Sequence, residues 1–127
     1  MLTCLAAICL TSAVAIDGDT LRIDAPGKDL RLRLWGISAP EMRDPGGTAA
    51  RSALAELVHR RQLACDLMDV DRYSRPVVRC ALPGGADIAC EMVRTGHARD
   101  WPRYSRGAYT RCAGTSAPNR HTPRPAR

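Results

Sequence analysis

Leucine and arginine alternate strictly through Leu30-Arg31-Leu32-Arg33-Leu34, so a strand here carries leucines on one face and arginines on the other. That pattern predicts a half-buried antiparallel strand over 30–37 with a positive row on its second face. Residues 13–16 and 20–23 read as two further strands, with Asp17-Gly18 and Ala25-Pro26-Gly27-Lys28 as the turns around them. After Thr48 the period lengthens. Ala50, Ala53, Leu54, Leu57 and Val58 recur at helical spacing, which predicts a helix over 49–61. Thr48 is its expected N-cap, and Arg60 and Arg61 fall in its last turn. Strands over 63–70 and 76–82 flank Asp71-Arg72-Tyr73-Ser74-Arg75, and Pro83-Gly84-Gly85 makes another turn. Asp87 then opens a second helix through Arg94, ended by Gly96.

Beyond residue 110 the periodicity stops. Pro118, Pro123 and Pro125 interrupt a run of Arg, Thr, Ser and Asn, so 111–127 is expected to be a disordered tail. The 127-residue length suits one domain, placed at 13–110. Residues 1–12 are read as a signal peptide or an extension. The stretch 1–16 is uncharged and Ala13-Val14-Ala15 suits a cleavage site, yet no positive charge precedes it. A mature strand over 11–16 is the alternative reading.

Composition adds two points. The net charge is +6, from eighteen arginines and one lysine (Lys28) against thirteen acids. GC-rich coding gives that skew, and so does a need for guanidinium forks on phosphate oxygens. The balance permits a polyanionic partner without demanding one. Six cysteines with no CxxC pair argue against zinc and for an oxidising compartment, hence a secreted or periplasmic protein, with the cytoplasm as the alternative.

Attack on a phosphodiester is opposed by the substrate's own negative charge. A protein overcomes this with a bound cation, a base for water, and guanidinium groups on the phosphate. The chain holds candidates for each part. Asp17 and Asp19 lie two apart at a hairpin, and hard carboxylate oxygens suit calcium or magnesium. Glu41 follows the stiff Ala39-Pro40 approach, Arg33 projects from the arginine face, and Arg75 closes the Asp71 loop. Each alone is commonplace: Asp-Gly-Asp is usually a turn, and an arginine in a polar loop is usually a solvated charge. Their order and spacing carry the signal.

Four segments in this order resemble the staphylococcal nuclease (thermonuclease) family: Ile16-Asp17-Gly18-Asp19-Thr20, the stretch from Arg31 to Glu41, Asp71-Arg72-Tyr73-Ser74-Arg75, and Met92-Val93-Arg94-Thr95-Gly96-His97-Ala98. The likeness runs over 13–109. It implies an α+β fold, a five-stranded OB-type β-barrel with helices, and calcium-dependent endonuclease cleavage of DNA or RNA. It implies that Asp19 and Asp17 hold the cation, with the backbone carbonyl of Ala39. Glu41 would be the general base, and Arg33 and Arg75 would hold the phosphate. Tyr73 and Tyr104 would lie against the nucleotide. A monomer without membrane attachment is expected.

Three departures qualify this. Ser38 stands where the family usually supplies a second metal-binding aspartate, so calcium affinity is expected to fall and activity with it. A non-catalytic nucleic-acid-binding barrel is therefore the alternative function. Ser74 replaces the glycine usual before the last arginine, a strain if that position needs a positive φ. The family's long C-terminal third helix is expected to be missing or degraded, leaving two, through either a frameshift or a lineage-specific tail. A disulfide could offset part of that loss. Cys65 and Cys80, on strands expected to be neighbours, are the expected pair, and the other connectivity is not readable from sequence.

Overall fold

The computed structural model describes Cys4, residues 8–25 and residues 28–113. Strands β1 (Ile8–Leu10), β2 (Val14–Asp17), β3 (Thr20–Ala25), β4 (Lys28–Leu34) and β5 (Ile37–Ser38) precede helix α1 (Gly47–Val58). Strands β6 (Leu63–Val70) and β7 (Pro76–Ala81), helix α2 (Ile88–Arg94), strand β8 (Arg99–Asp100) and the single-turn helix α3 (Pro102–Ser105) follow. A 3-10 turn, Thr110–Cys112, ends the described chain. The tail beyond residue 113 and the Pro26-Gly27 turn lie outside the described residues.

Six strands pair in the order β1-β6-β7-β4-β3-β2, with β4 and β7 parallel and the other neighbours antiparallel. The outermost two, β1 and β2, are separated in sequence only by Thr11, Ser12 and Ala13. A flat sheet of this size would hold its edges roughly 24 Å apart. The four Cα–Cα steps from Leu10 to Val14 reach no more than ~14 Å. The sheet therefore curls until its edges meet through the chain, and the fold is α+β. The segment read as a leader or an extension thus contributes a strand, and Leu10 is buried in the core.

Leu21, Leu32, Leu34 and Val78 from the sheet meet Leu54 of α1 and Met92 of α2 in one core cluster. The expected Cys65–Cys80 disulfide joins opposed residues of β6 and β7 within it. Two more disulfides, Cys4–Cys9 and Cys90–Cys112, pair the remaining cysteines.

Several elements differ from the pattern-based expectation for identifiable reasons. The strand expected over 30–37 breaks at Trp35-Gly36. Gly36 takes φ 79°, and a Cβ there would sit 2.9 Å from both Ser105 and the Tyr109 ring. Residues 37–38 then pair with β8 in a separate ladder. The first helix begins at Gly47 rather than after Thr48, with Gly46 at φ 85° as its cap and no side-chain cap bond. It ends at Val58, so Arg60 and Arg61 are not in its last turn. Arg60 takes a left-handed φ of 54° and turns the chain away. The second helix starts as expected, with the Asp87 carboxylate accepting from the Ala89 and Cys90 N–H groups. The described residues hold three helices rather than the two expected, the third being the single turn α3 with Pro102 in its first turn. The region expected to lack the family's long C-terminal helix falls largely outside the described residues.

Candidate functional site

The Asp17-Gly18-Asp19-Thr20 hairpin is drawn tight by its own side chains. Asp17 Oδ1 accepts the Asp19 N–H at 3.0 Å, the local bond that turns of this composition favour. The Asp19 carboxylate points inward and is 1% exposed. Its Oδ2 accepts the Ala39 N–H at 2.9 Å, and its Oδ1 accepts from the Thr20 hydroxyl at 3.2 Å. One carboxylate thus ties the β2–β3 turn to the loop after β5.

Arg33 faces the same point, because Arg33 and Thr20 are paired across β3 and β4. Its Nη2 lies 3.4 Å from Asp19 Oδ2 and donates to the Ile37 carbonyl at 2.9 Å. Its Nη1 donates to the Leu34 carbonyl at 2.8 Å. Alternation placed Arg33 on a positive face with Arg31, but only Arg31 is exposed, whereas Arg33 is buried. Neighbouring strands and the Gly36–Ala39 loop cover one end of that face and leave the other in water. Ser38, buried as well, sits between two tethered residues, Ile37 and Ala39.

Two glycines set the depth of the site. A Cβ on Gly18 would come within 2.6 Å of the Ala39 and Ala50 side chains. A Cβ on Gly47 would meet the Glu41 carbonyl oxygen at 2.0 Å. Helix α1 can therefore dock its N-terminal end against both the hairpin and Glu41 only with glycine at these points. Glu41 is half-buried, and Arg43 Nε lies 3.4 Å from its Oε2.

Arg75 lies on the far side of β4. Arg33 is level with Val77 on the parallel strand β7, so Arg75 is one strand over and two residues back. Asp71 holds it. Asp71 Oδ1 accepts the Tyr73 and Arg75 N–H groups, and Oδ2 accepts Arg75 Nε at 2.7 Å. Burial works against ionisation of Asp71, but the Arg75 and Tyr73 hydrogen bonds outweigh it and lower its carboxyl below the ordinary range. Sequence reasoning gave Asp71 no role of its own, although an aspartate four residues before the arginine was a readable signal. Ser74 adopts φ 63°, the conformation in which a non-glycine residue costs on the order of 1 kcal/mol. The loop keeps its shape at that cost because Asp71 caps it.

The two tyrosines lie on the periphery. Tyr73 is exposed, with the Arg72 guanidinium 5.2 Å and that of Arg75 5.7 Å from its ring centre. Tyr104, on α3, packs edge-on against Trp101 at 4.7 Å. Direct contacts thus join Asp17, Asp19, Arg33 and Ala39. Ser38 and Glu41 follow on the same loop, while Arg75, Tyr73 and Tyr104 approach from other elements.

Comparison with known proteins settles the family. The family profile described as Staphylococcal nuclease homologue matches residues 31–116. The chain belongs to the staphylococcal nuclease family. It is similar to "Micrococcal nuclease" of Shigella flexneri, 35% identical over 99 residues, covering 72% of this chain and 57% of that protein. It is 47% identical over 60 residues to "Protein ParB" of Escherichia coli, covering 47% of this chain and 34% of ParB. An "Uncharacterized endonuclease" of Escherichia coli O157:H7 is 30% identical over 90 residues, covering 71% of this chain and 59% of that protein. The chain spans between about one third and three fifths of the length of these relatives.

The family's implied calcium meets a donor set that suits a hard cation but is short of charge. Among the described residues, no group of three or more His, Cys, Asp or Glu side chains is gathered closely enough to hold a metal. The two hairpin carboxylates nevertheless repel each other. Burial first, then the neighbouring Asp19 charge, push the Asp17 carboxyl up to about 6. A cation held there would relieve that repulsion. Without a cation the sign of the linkage is definite. The folded state binds this proton more tightly than the unfolded state, so the contribution to stability is full below about pH 4 and lost as pH rises through about 6. The melting temperature of the cation-free protein should fall between pH 4 and 7, and Asp17→Asn should flatten that fall in a melting series. An equally steep fall in Asp17→Asn would assign the dependence elsewhere.

Proposed function

We propose that this chain is a nuclease that hydrolyses phosphodiester bonds of DNA or RNA with a calcium ion, at an activity weakened by Ser38. The observation that carries the reading is the Asp19 carboxylate, buried and joined at once to the Ala39 N–H and to Arg33. Asp17 and Asp19 would hold the cation, with the Ala39 carbonyl and Ser38 as neutral oxygens. A cation bound there supplies positive charge to the substrate phosphate.

This chain's own residues do the rest. Glu41 accepts a proton from the attacking water at Oε2, the atom that Arg43 approaches in the free protein. Arg33 and Arg75 flank the phosphate from β4 and the start of β7. Arg75 is aimed by the Asp71 bond to its Nε, and Arg33 gains a phosphate partner by releasing a carbonyl. Tyr73 and Tyr104 offer exposed rings to nucleotide bases. Counting β1 and β2 as halves of one bent strand supports the reading of a five-stranded barrel. Three disulfides support an oxidising compartment, secreted or periplasmic.

A second reading, a nucleic-acid-binding barrel without catalysis, is favoured by the neutral Ser38 in that buried position. Cleavage of single-stranded DNA with calcium or with chelator separates the two. Chelator-sensitive cleavage is expected in the wild type, falling by about a hundredfold or more in Glu41→Gln. DNA binding without cleavage, in both the wild type and Ser38→Asp, would establish the second reading instead.

A further inference from the structure

The segment after α3 lies beneath the loop that carries Ser38 and Glu41. Tyr109 is 1% exposed and stacks edge-on against Trp35 at 5.7 Å. Its ring and Ser105 fill the space above Gly36 so closely that a Cβ there would meet both at 2.9 Å. The Trp101 N–H donates to the Gly36 carbonyl at 2.8 Å, and Asp100 is opposite Ile37 in the β5–β8 ladder. Asp100 in turn accepts from the Ser105 and Thr110 hydroxyls. So Gly36, Ile37 and Ser38, the first half of the loop over 36–41, stand on 99–110.

That support is tied to α2 and its N-cap by two bonds. The Tyr109 hydroxyl donates to Asp87 at 2.9 Å, and Cys112 is bonded to Cys90 of α2. The Cys90–Cys112 bond closes a sequence separation of 22, and both cysteines are half-buried. Cys65 and Cys80, in contrast, are 0% and 2% exposed. A reductant in solution meets the first pair before the second.

We propose that the Cys90–Cys112 disulfide is a redox latch on the loop over 36–41. A dithiol reductant breaks its S–S bond, two electrons and two protons pass to Cys90 and Cys112 as thiols, and the dithiol closes to its own disulfide. With that bond open, the 3-10 turn at 110–112 leaves α2 by giving up the Tyr109–Asp87 hydrogen bond, and takes Tyr109 off Trp35 and Gly36. The loop loses its floor while the Cys65–Cys80 core pair stays closed. Oxidation restores the support, so on the nuclease reading proposed above, on which this consequence rests, activity at this loop follows the redox state of the compartment.

Amide hydrogen exchange on the full chain tests this without reference to cleavage. The protein is treated with dithiothreitol, and thiols are alkylated and mapped by mass spectrometry. With Cys90 and Cys112 labelled and Cys65 and Cys80 still bonded, exchange over 36–41 and at Trp101 is expected to quicken about tenfold or more. Amides of β3 and β4 should keep their protection. Cys90→Ser/Cys112→Ser should show the same pattern without reductant, and Cys4→Ser/Cys9→Ser should keep the reductant response. The proposal is overturned if exchange over 36–41 does not change once Cys90 and Cys112 are labelled. It is equally overturned if all strands open together, or if Cys65–Cys80 reduces first.

Discussion

Ser38→Asp is expected to raise calcium-dependent cleavage by on the order of a hundredfold and to lower the calcium concentration needed. The side chain at 38 leaves a backbone fixed on both sides, by Arg33 at the Ile37 carbonyl and by Asp19 at the Ala39 N–H. A carboxylate there would add a third charge to Asp17 and Asp19 with little freedom to swing away. Affinity for a hard cation rises with ligand charge and rigidity, and this substitution supplies both. The same charge should be harmful when no cation is present, since burial and then the Asp19 charge already push the Asp17 carboxyl up to about 6. The variant should therefore melt below the wild type in chelator and gain more on adding calcium. Titrating calcium against both cleavage and melting temperature measures the two effects together. If neither responds to the new carboxylate, position 38 lies outside any cation site.

Arg33→Ala should destabilise the fold by roughly 3–5 kcal/mol, the usual result of leaving one partner of a buried ion pair alone. Its guanidinium is enclosed, within 3.4 Å of Asp19 Oδ2 and bonded to the Leu34 and Ile37 carbonyls at 2.8 and 2.9 Å. Alanine would strand the Asp19 charge and uncover two carbonyls at the point where β4 gives way to the loop. For a domain of this size, the melting temperature should drop by roughly 15 °C or more. Pairing the change with Asp19→Asn should recover part of the loss, because no buried charge is then left unpaired. A single variant melting within a few degrees of wild type would mean that water already reaches the pair. Any loss of cleavage in Arg33→Ala must be read against this structural role.

Much of this was legible in the chain, and what was not had a physical reason. The Leu/Arg alternation gave the side on which Arg33 lies but not its depth, because a period of two carries no information about what covers a face. The break at Gly36 depends on Ser105 and Tyr109, about seventy residues away, so no local signal marked it. The helix start moved to Gly47 through contact with the Glu41 carbonyl, again a tertiary fact overriding the preference of Thr48 for a cap. Short-range chemistry fared better. Asp87 capped α2, Gly96 ended it at φ 81°, and Ser74 carries the positive φ that the usual glycine suggested. Cys65–Cys80 could be expected from strand order, whereas Cys4–Cys9 and Cys90–Cys112 needed the fold. Asp19, Arg33 and the Ala39 N–H meet in one cluster, and most of the Arg33 contacts are internal.

The meeting of the sheet's edges through residues 11–13 also sets an order of assembly. Ile8 must wait for Cys65, and Leu10 for Leu63, before the first strand has a neighbour. On a ribosome, more than fifty residues emerge before that pairing exists, while the β2–β3 hairpin can form almost at once. Contacts so distant in sequence form slowly, since the intervening loop must be closed first. The opening strand is thus exposed longest during synthesis, and it carries Cys9, with Cys4 a few residues before it. A short local bond between those two, closing a separation of only 5 residues, occupies both thiols and so keeps them from mispairing with the core cysteines Cys65 and Cys80.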